Sequence, residues 1–371
     1  MTPSFSSILQ QHTAAYPLMA PQDYGKLAYQ NEFGPGHMIS DKQAAFDFLL
    51  QEWREALLCP SCDAAPSGGP FPSSPAGVEP IGNGLCRFHL DNRYIPEQAA
   101  PLLTELFCRT AVEHAGTREG LEQKLALLPK LGIPRLAQWL EGYRARGCPP
   151  VHHSEAFRQA YHPHYRVLRS EYAFFFKALL LLRGMLEGKG AAPVVAAVDG
   201  RCGSGKTGFS RLAESLFPCA VLHVDDFYLP EQARESDWRQ TPARNIDFDK
   251  LLNALNTLRA GKPVSFSRFD CAAGRLGAPF RVEPQPLIVL EGSYSMHPRL
   301  SGAVDKAIFL TCSAQEQQRR LTNRRPGGID AFEALWIPLE ECYFERFGIP
   351  RLSDLVLDTS LFFQDLPGEE F

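Results

Sequence analysis

The stretch VDGRCGSGKTGFS, residues 198–210, holds the spacing with the most chemical consequence in the chain. Gly200 is followed after four residues by Gly205-Lys206-Thr207, the pattern of a phosphate-binding loop. Its glycines let backbone N–H groups turn inward around a β-phosphate, Lys206 then meets the β and γ oxygens, and the Thr207 hydroxyl is placed to ligate Mg²⁺. Gly200, Gly203, Ser204, Gly205, Lys206, Thr207 and Gly208 are therefore the expected nucleotide-binding residues, with ATP and Mg²⁺ as the implied ligands.

Phosphoryl transfer from such a loop calls for a carboxylate near the metal and a base near the accepting hydroxyl. Two apolar runs end in acids: AVLHVDDFY in Asp225 and Asp226, and PLIVLEG in Glu291. If both are strands of an open parallel sheet, their ends project at the carboxyl edge where ligands bind. Further on, SAQEQQRRLTNRRPGG opens with Ser313 and Glu316 in capping-box spacing and carries Arg319, Arg320, Arg324 and Arg325. Arg320 and Arg324 are four apart, share a helix face, and are the expected clamp on a transferring phosphoryl group. The competing readings are a solvated strand end for the acids and a basic helix end favoured by the dipole for the arginines.

These groups need elements to hold them. VVAAVD precedes the loop as a strand, and Phe209, Leu212, Ala213 and Leu216 give the following segment one apolar helical face. Short β-branched runs, VVAAVD, AVLHVDD, PLIVLE, KAIFLT and DLVLD, alternate with helical segments. Runs apolar throughout and separated in this way predict a parallel sheet covered by helices on both faces. The fold class expected for residues 193–371 is thus an α/β P-loop NTPase domain.

From this point the C-terminal half resembles the uridine kinase and phosphoribulokinase family of P-loop kinases. The resemblance runs in order through DGRCGSGKT, HVDDFYLP, RNIDFDKLL, SRFDCAAGRL, LIVLEGSYS and RRLTNRR, covering roughly residues 193–360. It implies that Asp225 is the general base on the acceptor hydroxyl and that Tyr228 lines the acceptor pocket. It places Glu291 with Thr207 around Mg²⁺, and Asp247, Phe269 and Asp270 where nucleoside kinases contact base and sugar. The chain departs from true uridine kinases in having NIDFDKLL and Phe269-Asp270 where those enzymes have His-Pro-Asp and Tyr-Asp. Uridine, other nucleosides, pantothenate, glycerate and sugar phosphates all stay open as acceptors.

Residues 1–188 read as a separate, mainly helical domain, with a boundary in GKGAAP, residues 188–193. SDKQAAFDFLLQEWREALL sets Phe46, Leu49, Leu50, Trp53 and Leu57 on one helix face, opened by a Ser40/Gln43 capping box. PLLTELFCRTAVEH, LEQKLALLPKL and RLAQWLEGY continue the helical periodicity, and YAFFFKALLLLRGML reads as a buried helix too short for a bilayer. CPSCDAAPSGGPFPSSPAG reads as an exposed loop. Gly34-Pro35-Gly36 turns before His37, and His152, His153, His162 and His164 crowd among aromatic and basic residues that include Arg166 and Arg169. Histidines satisfied by nearby carbonyls are favoured over a metal site, even one recruiting Cys59 and Cys62, because one Cys-x-x-Cys is weak zinc evidence. An anionic ligand for Arg166, Arg169 and the histidines is a further alternative. This half vaguely resembles segments of bacterial proteins of unknown function, which names no activity.

The 371 residues favour two domains, and 44% apolar with 22% charged residues are those of a globular chain. A net charge of −4 gives no reason to expect nucleic acid or an anionic membrane as partner. The N-terminus lacks a secretory pattern, so a cytosolic chain with its ten cysteines as thiols is expected. The reading as a whole is a uridine kinase-like, ATP-dependent kinase that phosphorylates a small-molecule hydroxyl, compatible with an oligomer. The rival is an ATP-sensing module that acts on a partner through the N-terminal half.

Overall fold

The computed structural model describes residues 4–39, 41–57, 77–90, 96–188, 190, 192–270, 273–324, 330 and 332–360. They fall into two compact units, the first ending at Phe176 and the second spanning Lys177–Ser360. The division lies inside a helix, ahead of the GKGAAP stretch expected from sequence.

Unit 1 carries helices α1 (Phe5–Ala15), α2 (Pro21–Phe33), α3 (Lys42–Leu57), α4 (Ala100–Glu113), α5 (Arg118–Leu125), α6 (Leu136–Ala145), α7 (Glu155–Tyr161) and α8 (Ser170–Phe174). Proline at its first position starts α2, where Asp23 accepts from the Ala20 N–H at 2.9 Å, and Gly34 at φ +57° ends it. At the start of α3, Asp41 accepts from the Ala44 N–H at 2.7 Å. Ser40 and the Leu57 side chain lie outside the described residues, as does most of the CPSC segment. Leu49 and Trp53 are buried as the periodicity requires, with Phe46 and Leu50 half-buried.

A three-stranded antiparallel sheet, unexpected in a half read as mainly helical, joins these helices. Its order is β1 (Val78–Gly82), β2 (Leu85–His89), β3 (Tyr165–Arg169), with β2 central. Asn83 and Gly84, both at positive φ, make the two-residue turn between β1 and β2. Ile8, Leu27, Ile81, Leu125, Leu140, Tyr143 and Val167 share one core beneath it. The apolar run of residues 172–186 is broken at Phe175 into α8 and α9 (Phe176–Gly188).

Unit 2 is built on five parallel strands. These are β4 (Val194–Gly200), β5 (Cys219–His223), β8 (Leu287–Glu291), β9 (Lys306–Thr311) and β10 (Leu355–Asp358), in the order β10-β9-β4-β8-β5. They are the five apolar runs expected to form the sheet. β4 and β8 lie inside it and are buried along nearly their whole length, which explains why their sequences show no polar alternation. Between β5 and β8 the chain forms an antiparallel hairpin, β6 (Val264–Asp270) and β7 (Arg275–Val282). Helices α10 (Lys206–Leu216), α11 (Phe248–Arg259), α12 (Ala314–Arg324), α13 (Ile337–Phe347) and α14 (Ile349–Leu352) accompany the sheet. A π-helical turn, Phe332–Trp336, leads into α13.

Candidate active site

The loop after β4 is fixed by backbone conformation. Gly200 has φ +141°, and a Cβ there would stand 1.9 Å from the Leu310 carbonyl oxygen, so no larger residue fits. Gly203 and Gly205, at φ +75° and +93°, turn the chain into α10, whose first residue is Lys206. Lys206 is 8% exposed and donates to Gly200 O at 2.7 Å, Arg201 O at 3.0 Å and Ser293 Oγ at 3.3 Å. Burial would lower its pKa, but the Glu340 and Glu291 carboxylates outweigh that and hold it above the usual lysine range.

Register explains how the acids meet this loop. Glu291, the last residue of β8, pairs with Val198 on one side and with His223 on the other, so three strand ends converge. Thr207 Oγ1 donates to Glu291 Oε1 at 3.2 Å, and Glu291 Oε2 lies 2.6 Å from His223 Nδ1. Burial pushes the Glu291 carboxyl up, yet the His223 hydrogen bond and Lys206 bring it below the ordinary carboxylate range. His223 is raised, chiefly by that same bond. A hydroxyl and a carboxylate side by side are the hard oxygen donors that Mg²⁺ takes.

Asp225 follows β5 in a short 3₁₀ turn, Val224–Phe227, and receives a hydrogen bond from Tyr228. The residue is exposed, yet the protein around its carboxylate strips part of its hydration. That desolvation, with Glu291 nearby, pushes its pKa above the ordinary aspartate value. Tyr228 packs edge-on to Phe269 and parallel to Trp336, each at 6.0 Å between ring centroids. Trp238 lies 6.0 Å from Trp336, and the Arg234 guanidinium stands over both Trp238 and Phe269. Neither tryptophan nor Arg234 was singled out from sequence.

The other expected acceptor residues have local duties. Asp247 is the N-cap of α11 and accepts from the Lys250 N–H at 3.0 Å. Asp270 is exposed and accepts from the Ala273 N–H at 2.9 Å in the turn between β6 and β7. Asp226 pairs with Arg268 at 3.0 Å.

The basic helix is organised differently from the clamp expected. Glu316 Nα donates to Ser313 Oγ at 3.3 Å, but the Glu316 carboxylate turns to Arg319 and Arg320 instead of closing the capping box. Arg320 also donates to Gly203 O at 3.0 Å and to Thr359 Oγ1 and O at 2.9 and 2.6 Å. Its guanidinium thus fastens the phosphate loop to the end of β10. Arg324 is exposed at the last position of α12, and Arg325 lies outside the described residues.

Three acids that sequence reasoning passed over complete the loop's support. Asp199, fully buried, accepts from Gly200 N, Met296 N and Tyr343 Oη at 2.7, 2.9 and 2.8 Å, and burial pushes it up to about 6. Glu340 is 5% exposed and accepts from the Cys202 N–H of the loop at 2.9 Å and from Ser293 Oγ. Its neighbour Glu341 binds Arg201 through both carboxylate oxygens, at 2.6 and 3.0 Å. A signal for Glu340 existed: it lies on the apolar stripe of α13 with Tyr343 and Phe344, where an acid needs a partner.

In unit 1 the predicted histidines separate. His153 is buried between Asp23 and Tyr165, whereas the expected partners were carbonyls. His164 pairs with Glu52 at 3.4 Å, His152 is exposed, and His162 ends α7 at φ +43°. His37 is exposed and meets Tyr29 edge-on at 5.1 Å. Arg166 pairs with Glu52 at 2.6 Å, and Arg169 with Glu113 at 3.3 Å. Among the described residues no group of three His, Cys, Asp or Glu side chains is arranged to hold a metal, and Cys108, Cys148, Cys202, Cys219, Cys312 and Cys342 are free thiols. Cys59 and Cys62 lie outside those residues. No described helix is long and apolar enough to cross a membrane.

A parallel sheet ordered around a central strand, with a glycine loop running from that strand into a helix, gives unit 2 the architecture of a P-loop domain. In sequence it is similar to uridine kinases and phosphoribulokinases. Uridine-cytidine kinase C of Dictyostelium discoideum is 23% identical over 139 residues, which are 37% of this chain and 31% of that protein. A phosphoribulokinase of a Synechocystis species is 28% identical over 128 residues, 33% of this chain and 39% of its own. A uridine kinase of Streptococcus uberis is 31% identical over 127 residues, 32% of this chain and 60% of its own. The chain therefore spans less than two thirds of each of these relatives. A solved structure of a possible uridine kinase from Bacillus stearothermophilus aligns with 18% identity and a TM-score of 0.39, over 49% of this chain and 99% of that one. No family model matches the chain, and no named relative covers the N-terminal half.

Proposed function

We propose that unit 2 transfers the terminal phosphoryl group of ATP to a hydroxyl of a small, ring-bearing acceptor, most simply a nucleoside. The observation that carries this reading is the meeting of Asp225 with the phosphate loop at one sheet edge, since a protein that only senses ATP needs no base. Asp225 takes the acceptor's proton as the hydroxyl oxygen attacks. Its raised pKa brings it nearer to neutrality, where a base accepts a proton more readily. The Tyr228 hydrogen bond steadies the carboxylate. Tyr228, Phe269, Trp336 and Trp238 supply aromatic faces for a flat ring, with Asp247 and Asp270 as further polar contacts.

Loop N–H groups from Gly203 to Gly208 and the Lys206 ammonium hold the phosphates. Lys206 must exchange its bonds to Gly200 O and Arg201 O to do so. Thr207 and Glu291 are the residues that would hold Mg²⁺, which would neutralise charge on the phosphates. Arg320 keeps the loop in shape through Gly203, and Arg324 is the arginine left to close over the γ-phosphoryl group.

The test is Asp225→Asn assayed against nucleosides, vitamins and sugar acids with ATP. Turnover should fall by roughly 10²- to 10⁴-fold while nucleotide affinity is kept. Unchanged turnover removes Asp225 from the reaction. Tight ATP binding by the native protein with no acceptor phosphorylated would favour the sensing module instead.

A further inference from the structure

Unit 1 contains a chain of three side chains for which the reading of unit 2 has no use. Asp23 accepts from His153 Nδ1 at 2.8 Å, from the Ser154 N–H at 2.9 Å, from Ser154 Oγ at 2.6 Å and from the Ala20 N–H at 2.9 Å. His153 Nε2 lies 2.7 Å from Tyr165 Oη. A carboxylate on Nδ1 keeps the proton there, so Nε2 presents its lone pair and the phenol donates to it. The ring is stacked on Phe157 at 4.1 Å, which fixes its plane.

The chain has a direction. Asp23 is fully buried and His153 is 6% exposed, whereas Tyr165 is only half-buried. The neighbouring polar knot around Glu79 buries His12, Tyr16 and Arg87 and reaches the half-buried His89 at 3.0 Å. Charge forming on Tyr165 Oη would be met from two sides. The Arg87 guanidinium lies 4.8 Å from its ring, and Gln30 Nε2 donates to Oη at 3.3 Å while Gln30 Oε1 is held by Arg87. Burial pushes the phenol up to about 12 and lowers His153 to about 4, so at neutral pH the phenol keeps its proton and the imidazole is neutral.

A cation stands on the same helical face. Lys26 lies between Asp23 and Gln30 on α2 at spacings of three and four, and Nζ donates to Val151 O at 3.2 Å. Among the described residues it has no salt bridge, and burial with Arg87 nearby lowers it to about 8. An anionic group would relieve that cost.

We propose that unit 1 is a second reactive centre in which Tyr165 is the nucleophile, His153 its base and Asp23 the positioning residue, acting on a phosphoryl ester whose negative charge Lys26 receives. In the step, the Tyr165 Oη–H bond breaks and its proton passes to His153 Nε2 as an Oη–P bond forms. The P–O bond to the leaving group breaks, the electron pair departs with that oxygen, and His153 returns the proton to it. The arrangement of nucleophile, base and orienting acid is the one that makes a hydroxyl reactive at neutral pH.

The test treats the full-length protein with bis(p-nitrophenyl) phosphate and maps adducts by mass spectrometry. Tyr165 should be modified at least about tenfold faster than any other of the 11 tyrosines. His153→Gln should bring it to the background rate, and Lys26→Met should slow it about tenfold without slowing reaction with the neutral ester p-nitrophenyl acetate. Nitrogen-15 NMR of the native protein, which needs no variant to fold, should find His153 protonated on Nδ1 alone, and Asp23→Asn should shift that tautomer. No preference for Tyr165, equal modification in His153→Gln, reaction with the acetate ester only, or a proton on Nε2 would each overturn the proposal. None of these outcomes depends on whether unit 2 phosphorylates anything.

Discussion

In unit 2 the chemical groups sit at the ends of adjacent strands, so Glu291 and His223 meet because β8 and β5 are in register. In unit 1, Asp23 and His153 are 130 residues apart and meet through a helix and a loop. The first arrangement follows from backbone geometry: any parallel sheet brings its carboxyl ends to one edge, and the glycine loop adds N–H donors whatever the side chains. The second depends on how particular helices dock against a small antiparallel sheet. The ionisable groups around the glycine loop gather at the carboxyl edge of the sheet, while those in unit 1 mostly face one another.

Several measurements would break or sharpen that contrast. Gly200→Ala should have the largest effect, on the order of 4 kcal/mol lost from unit 2, because its Cβ meets the Leu310 carbonyl. Thermal unfolding followed by fluorescence of Trp238 and Trp336 would report it, and an unchanged midpoint would mean that the loop is not set by backbone geometry.

Acid should act on unit 1 through two buried imidazoles, His12 and His153, each lowered to about 4, with burial as the first cause. The unfolded chain binds their protons near 6.5 and the folded chain only near 4. Stability is therefore full above about pH 6.5 and falls as pH drops toward 4, by about 3 kcal/mol for each histidine. Denaturant titrations between pH 7 and 4.5 check this, with His12→Gln expected to flatten the curve. A flat native profile would show that these histidines are not held neutral.

Glu340→Gln should tighten nucleotide binding about tenfold, since it removes a buried negative charge from the phosphate loop while keeping an oxygen for the Cys202 N–H. Calorimetric titration with ATP would detect it, and weaker binding would make Glu340 an organiser of the loop and not an opponent of phosphate. Asp247 carries the smallest effect. Asp247→Ala should lose about 1 kcal/mol with the α11 cap, and Asp247→Ser should recover most of it. If Asp247→Ser restores stability but not turnover, Asp247 touches the acceptor as well.

Much of unit 2 was legible. All five strands, the loop and α10 follow from apolar runs and glycine spacing, because central parallel strands are buried on both faces and leave an unbroken signal. The support beneath the loop was not legible: Asp199 and Glu340 look like ordinary acids until burial and their N–H partners are seen. Arg320 and Arg324 looked equivalent by spacing, yet docking ties one to Gly203 and Thr359 and leaves the other exposed. In unit 1 the Asn83-Gly84 turn carried a hairpin signal that short strands with little alternation did not support.

What the sequence determined by itself was local: where glycine is required, which runs can be strands, and where helices begin and end. These follow from φ preferences, side-chain periodicity and capping, all of which act over a few residues. Tertiary structure alone decided which of several similar acids, arginines and histidines share a hydrogen bond. Such pairings depend on burial and on the docking of distant segments, and for His153 that meant Asp23 and Tyr165, on elements far apart in the chain.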